Sequence, residues 1–132
     1  MDRDLDLLRK AATDVAADLD RVSGARWQCQ VGDDYVLTVT FGDASESVLL
    51  ERRVEDEEWY LAANLTREQQ AEALEADAAE AVADETLEVL RVGQWPAPQC
   101  GEHGRALMVC SGTWLCNGPP AHDVAAVGTL GV

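Results

Sequence analysis

The sequence predicts an α+β protein: an N-terminal helix, an antiparallel β-meander, a long acidic helix and a C-terminal β-hairpin. Three observations predict it. An apolar stripe recurs at helical spacing over residues 2–22, and three strand-like runs separated by turn chemistry follow. An Ala/Glu-rich stretch opened by a capping box then leads into a tail that carries cysteine and histidine.

In the first helix, Leu5, Leu8, Ala12, Val15, Leu19 and Val22 recur at steps of three and four and so share one face. Asp2, Asp4 and Asp6 lie in its first turns, where negative charge suits the helix dipole. Ser23-Gly24 stops it. Arg26–Val31, Tyr35–Phe41 and Ser47–Val54 read as strands. Tyr35, Leu37, Val39 and Phe41 alternate onto one face of the second, and Gly32-Asp33-Asp34 and Gly42-Asp43-Ala44-Ser45 supply the turns. The acidic run Glu55–Glu58 leads to Trp59-Tyr60-Leu61, expected as a short buried strand or anchor. Thr66-Arg67-Glu68-Gln69 is a capping box that opens a helix running to about Val92, with Ala71, Leu74, Ala78, Ala81, Leu87 and Leu90 on its apolar side. Gly93, Pro96 and Pro98 mark a border, giving an α+β domain over residues 1–93 and a small module over residues 94–132.

A chain of 132 residues, 47% apolar, fits one domain with a small appended unit. The formal net charge of -15 is large and localised. From Glu55 to Glu88 twelve acids face one base, a net of -11, whereas residues 95–132 carry a net of -1. An acidic surface repels the phosphate backbone, so direct nucleic-acid binding lacks its driving force, and the functional reading of the charge is docking onto a basic protein partner or mimicry of nucleic acid. The charge also keeps a small protein soluble without any partner. The N-terminus lacks a basic stretch followed by an apolar run, and no segment approaches the roughly 18 continuous apolar residues of a membrane span. The expectation is a cytoplasmic protein away from the membrane, where thiols stay reduced and clustered cysteines favour metal over disulfide.

Two features of the tail carry chemistry. Cys100-Gly-Glu-His103-Gly has the spacing of a metal knuckle, in which a tight turn brings two side chains onto one ion and backbone amides face the thiolate. Ala106–Cys110, Ser-Gly-Thr and Trp114–Cys116 form a hairpin that returns the chain so that Cys116 and His122 can complete a tetrahedral set. Two thiolates and two neutral imidazoles around Zn²⁺ sum to zero charge, which suits a partly buried site. Cys110 is the other candidate for the fourth ligand, or else a small buried hydrophobe on its strand, and the second of these is preferred. Cys29 is expected in the core. A disulfide from Cys116 to Cys100 or Cys110 fits only an exported chain. Val124, Val127 and Leu130 are expected to add a strand or a helical turn.

The pattern W-P-x(3)-C-x-x-H-G, then W-x-C, then a late His followed by V-A-x-V-G-x-L, resembles the C-terminal end of small uncharacterised actinobacterial proteins. That end in turn resembles a zinc ribbon in which His replaces one Cys of each knuckle. The resemblance covers the last 38 residues and implies Cys100, His103, Cys116 and His122 as zinc ligands, with no activity attached. The second knuckle departs from a ribbon, with five residues between Cys116 and His122.

No phosphate loop, nucleophile elbow or complete calcium loop is present. Function is expected to be non-enzymatic: an acidic protein-interaction module (adaptor, regulator or immunity-type protein) with a structural zinc. The alternatives are a small zinc enzyme using Glu102 as base, and a nucleic-acid-binding ribbon, for which Arg105 is the one supporting base in the tail.

Overall fold

The computed structural model describes residues 3–50 and 65–132. The acidic run Glu55–Glu58, the Trp59-Tyr60-Leu61 anchor and the end of the third predicted strand lie outside the described residues. The order of elements is α1 (Arg3–Ser23), β1 (Trp27–Val31), β2 (Val36–Phe41), β3 (Ala44–Leu49), α2 (Arg67–Gly93), β4 (Met108–Cys110), β5 (Thr113–Cys116) and β6 (His122–Ala126). The fold is α+β, with antiparallel sheets β1-β2-β3 and β4-β5-β6. Among the described residues, no helix is long and apolar enough to cross a membrane.

The predicted stripe of α1 is buried at Leu5, Leu8, Ala12, Val15 and Leu19, while Val22 is exposed. Ala11 and Asp18 are buried as well, so the helix is covered on a second face. The stripe meets the inner face of the first sheet, where Trp27, Cys29, Val31, Leu37 and Val39 alternate inward. The outer face is polar, with hydroxyl pairs Thr38–Ser47 and Thr40–Ser45 at 3.0 Å across neighbouring strands. Trp27 and Phe41 are cross-strand partners and stack at 4.4 Å, and Trp95 closes on them edge-first at 6.0 Å. Strand β3 begins three residues earlier than predicted, because Gly42-Asp43 alone makes the turn and Phe41 pairs with Ala44.

The capping box of α2 is present in both halves. Thr66 Oγ1 accepts from the Gln69 backbone N–H at 3.1 Å, and Gln69 Oε1 accepts from the Thr66 N–H at 2.9 Å. Burial on α2 is wider than one stripe: Ala78, Ala79, Ala81, Val82, Ala83 and Thr86 are all inside, whereas Ala71 is exposed. Alanines let neighbours approach closely, and Gly112 sits so near Ala76 that an added Cβ would lie 3.2 Å from its Cα.

The C-terminal sheet packs on the two helices. Leu107, Val109, Trp114, Cys116 and Leu130 belong to the same buried cluster as α1 and α2. The β4–β5 hairpin turns on Ser111-Gly112, both at positive φ (50° and 80°), as a two-residue turn of the primed type requires. The Ser111 N–H donates to Glu80 Oε1 of α2 at 3.1 Å, which supports the non-glycine residue in that conformation. Asp18 of α1, with no exposed surface, accepts from the Gly128 and Leu130 backbone N–H groups at 2.7 and 3.1 Å, from the Trp114 indole and from Arg21. Arg21 in turn donates to the carbonyls of Gly128 and Leu130.

Candidate metal centre

The knuckle is built by backbone hydrogen bonds. The Cys100 N–H donates to the Arg105 carbonyl and the Gly104 N–H to the Cys100 carbonyl, both at 2.8 Å, while Gln99 and Ala106 form a bridge just outside. The loop therefore folds back on itself and sets Cys100 Sγ 3.7 Å from His103 Nδ1.

The second pair is set by strand pairing. Cys116 ends β5, His122 begins β6, and the two are direct cross-strand partners. A β-bulge after Trp114 makes this so. Trp114 pairs with Ala125, yet Leu115 pairs with Asp123, so one residue of β6 is skipped. Without the skip Asp123 would stand opposite Cys116; the bulge brings His122 there instead. The five loop residues between Cys116 and His122 are thus a hairpin loop between strand partners. Inside that loop the Gly118 N–H donates to Cys116 Sγ at 3.3 Å.

The two halves converge. Cys100 Sγ lies 3.6 Å from His122 Nε2, and Cys116 Sγ lies 3.5 Å from His103 Nδ1. One ligand atom from each of Cys100, His103, Cys116 and His122 falls within 4.8 Å of all the others, close enough to hold a metal ion. Cys110 is exposed and outside this group, and Cys29 is buried in the core. The expectation that Cys110 is a buried hydrophobe is corrected: Val109 takes the inward position on β4, and alternation turns Cys110 out.

The distances discriminate between kinds of centre. Zn–S of 2.3 Å and Zn–N of about 2.0–2.1 Å at tetrahedral angles put sulfur and nitrogen about 3.5–3.6 Å apart. The three Cys–His separations of 3.5–3.7 Å match that edge. A two-iron cluster with its cysteines on one iron and its histidines on the other would separate sulfur from nitrogen across the cluster. The separations here fit four donors around one ion rather than a cluster.

The surroundings prepare the donors. Cys100 and Cys116 are buried, while His103 and His122 are half-buried. The backbone N–H of His103 is the largest influence holding the Cys100 thiol down to about 6, against the opposing effect of burial and with help from the Glu102 N–H and the His103 and Cys116 side chains. A thiolate is the metal-binding form. His122 Nδ1 lies 3.1 Å from the Pro120 carbonyl, which fixes the ring so that Nε2 faces the cysteines. That carbonyl, and then the Cys100 thiol, push the imidazole above its ordinary value. In the core, burial pushes the Cys29 thiol up to about 12, so it stays a protonated, inert group. Glu102 is exposed, within the knuckle loop.

The residue that sequence reasoning missed is Asp18, which ties Trp114, two residues before the candidate ligand Cys116, to the first helix. Its one signal was a position seven residues after Ala11 on a helix whose second face is also covered. No protein-family model matches the chain, and no curated protein or solved structure shows a significant match to it.

Proposed function

We propose that the protein is a non-enzymatic, acidic protein-interaction module, of the adaptor, regulator or immunity type, with a structural Zn²⁺ held by Cys100, His103, Cys116 and His122. The observation that carries the metal assignment is the set of Cys–His separations of 3.5–3.7 Å around two buried sulfurs. Two thiolates and two imidazoles are a structural zinc set, and four protein donors leave no position for a reacting water. When bound, the ion supplies cross-linking between the knuckle and the β5–β6 hairpin. The chain's own residues do the rest: the Gly118, Glu102 and His103 N–H groups stabilise the sulfurs, and the Pro120 carbonyl orients His122.

The interaction half of the proposal is supported by charge. The net of -15 is concentrated in and before α2, whereas the module carries about one negative charge. A protein of this charge meets basic partners with electrostatic assistance and repels nucleic acid. A protein interaction surface on the helices, held rigid by a stapled module, accounts for both features.

The test is metal content of protein purified without added metal, with a thermal melt before and after chelation, and the absorption spectrum of the cobalt-substituted form. About one zinc per chain, a lower melt after chelation and a closed tetrahedral S₂N₂ cobalt spectrum are expected. A cobalt spectrum that changes on adding small anions would reveal an open coordination position and move the assignment toward an enzyme.

A further inference from the structure

The groove between the C-terminal half of α2 and strand β3 has apolar surface that the fold leaves open. It is a space of about 300 Å³ with Val48, Val89 and Val92 on its floor and Glu46, Glu85 and Glu88 around it. Val92 is 70% exposed. A β-branched residue gains nothing in helix propensity and loses rotamer freedom on a helix, so propensity does not explain a valine there.

The carboxylates around this floor differ in how they are satisfied. Arg91 grips Glu88 through two nitrogens, whereas among the described residues none hydrogen-bonds or ion-pairs with Glu46 or Glu85. A second acid-lined groove, between α1 and α2, makes the contrast. There Asp14 and Glu75 flank Lys10, whose ammonium lies 3.1 Å from Asp14 Oδ2, so that groove already holds a cation. The α2–β3 groove has both an open apolar floor and, among the described residues, two carboxylates, Glu46 and Glu85, without a cation.

We propose that the α2–β3 groove binds a basic amphipathic segment of a partner protein, with its apolar side chains on Val48, Val89 and Val92 and its lysines or arginines beside Glu46 and Glu85. This rests on the reading of the protein as an acidic interaction module and gives that reading a place and a partner chemistry. Apolar contact supplies affinity in such a groove, and charge supplies encounter rate and the choice against acidic partners.

The experiment titrates a synthetic amphipathic helix of leucine and lysine into the zinc-loaded full chain by calorimetry, with a leucine and glutamate peptide alongside. The basic peptide is expected to bind and the acidic one not. Val92→Ser and the pair Glu46→Gln/Glu85→Gln are each expected to weaken binding about tenfold. The pair Glu72→Gln/Glu75→Gln, which removes equal charge elsewhere on α2, is expected to change it less than about twofold. All of these positions except Glu85 are exposed, and Glu85 is half-buried and retains its shape as Gln. Equal weakening by both charge pairs, or none by Val92→Ser, overturns the groove while leaving the acidic-interaction reading in place. No binding by the native chain overturns both. A dimer in sedimentation that Val92→Ser dissociates would assign the groove to a second copy and overturn the basic partner.

Discussion

The Asp18 carboxylate, in the third quarter of the first helix, accepts the indole N–H of Trp114 at 2.7 Å across 96 positions of sequence. Both side chains have no exposed surface. The same carboxylate takes the Gly128 and Leu130 N–H groups, so one acid closes the strand that carries Cys116 and the turn after the last strand. A buried carboxylate is tolerated where its lone pairs are used, and here three donors arrive from two segments besides Arg21.

Asp18→Ala is expected to cost about 3–5 kcal/mol, because it leaves the indole and two backbone N–H groups buried without an acceptor. Asp18→Asn, which keeps one acceptor oxygen, is expected to cost less. Urea denaturation of the metal-loaded variants reads both, and a loss below about 1 kcal/mol for Asp18→Ala would refute the assignment of Asp18 as a keystone.

Cys116→Ala and His122→Ala are each expected to abolish stoichiometric zinc and lower the melting temperature by roughly 10 °C, since binding confined to the folded state adds its free energy to folding. Cys110→Ala is expected to leave both unchanged, because Cys110 is exposed outside the cluster. Zinc lost from Cys110→Ala and kept by His122→Ala would exchange the fourth ligand.

The pH behaviour of the metal-free chain follows from two opposite shifts. Cys100 is depressed from 9.0 to about 6, so its contribution to stability is complete above pH 9.0 and is lost as pH falls through about 6. His122 is raised, so its contribution is complete below pH 6.5 and is lost as pH rises through the raised value. The ultraviolet thiolate band should therefore show one cysteine ionising near pH 6 in the chelated protein. All four thiols ionising near pH 9 or higher would contradict the N–H···S geometry of the knuckle.

Thr86→Val is expected to stabilise the protein by about 1 kcal/mol. Its hydroxyl is buried and, among the described residues, meets no hydrogen-bonding group but the Cys29 thiol, a weak partner, and a valine methyl fills the same space without a desolvated polar group. A melt of the variant at or below that of the native chain would mean that the contact of the hydroxyl with the Cys29 thiol offsets its desolvation.

Gly118→Ala is expected to weaken zinc binding at least tenfold and lower the melt. The added Cβ would fall 2.1 Å from the Pro120 carbonyl carbon, in the loop that supplies an N–H to Cys116 and a carbonyl to His122. Competition with a chromophoric chelator measures it, and an unchanged affinity would show that the loop shape does not set the ligands.

Local chemistry was legible in the sequence, and pairing across distance was not. The capping box at Thr66 and Gln69 and the knuckle from Cys100 to Gly104 are closed by hydrogen bonds within a few residues, so their residues announce them. The alternation of Leu107 and Val109 could have placed Cys110 outward. The juxtaposition of His122 with Cys116 depends on a bulge just before Cys116, which leaves no compositional trace. Asp18 is a further case: one aspartate among several on a helix reads as solvent-facing, and only the arrival of residues 114, 128 and 130 makes it interior. The breadth of burial on α2 was hidden for the same reason, since alanine is at home on either side of a helix.

The burial gradient across the candidate metal centre has a kinetic meaning once an ion is bound. Its sulfurs lie inside, at 5% and 0% exposure, and its imidazoles lie toward solvent. A competing chelator or proton therefore reaches the histidines first, and ion exchange should proceed through an intermediate still anchored by both thiolates. Exchange would then quicken with acid at a rate set by imidazole detachment, while oxidants, which must reach sulfur, act slowly on the loaded protein. The centre would be labile toward other metals and durable toward peroxide.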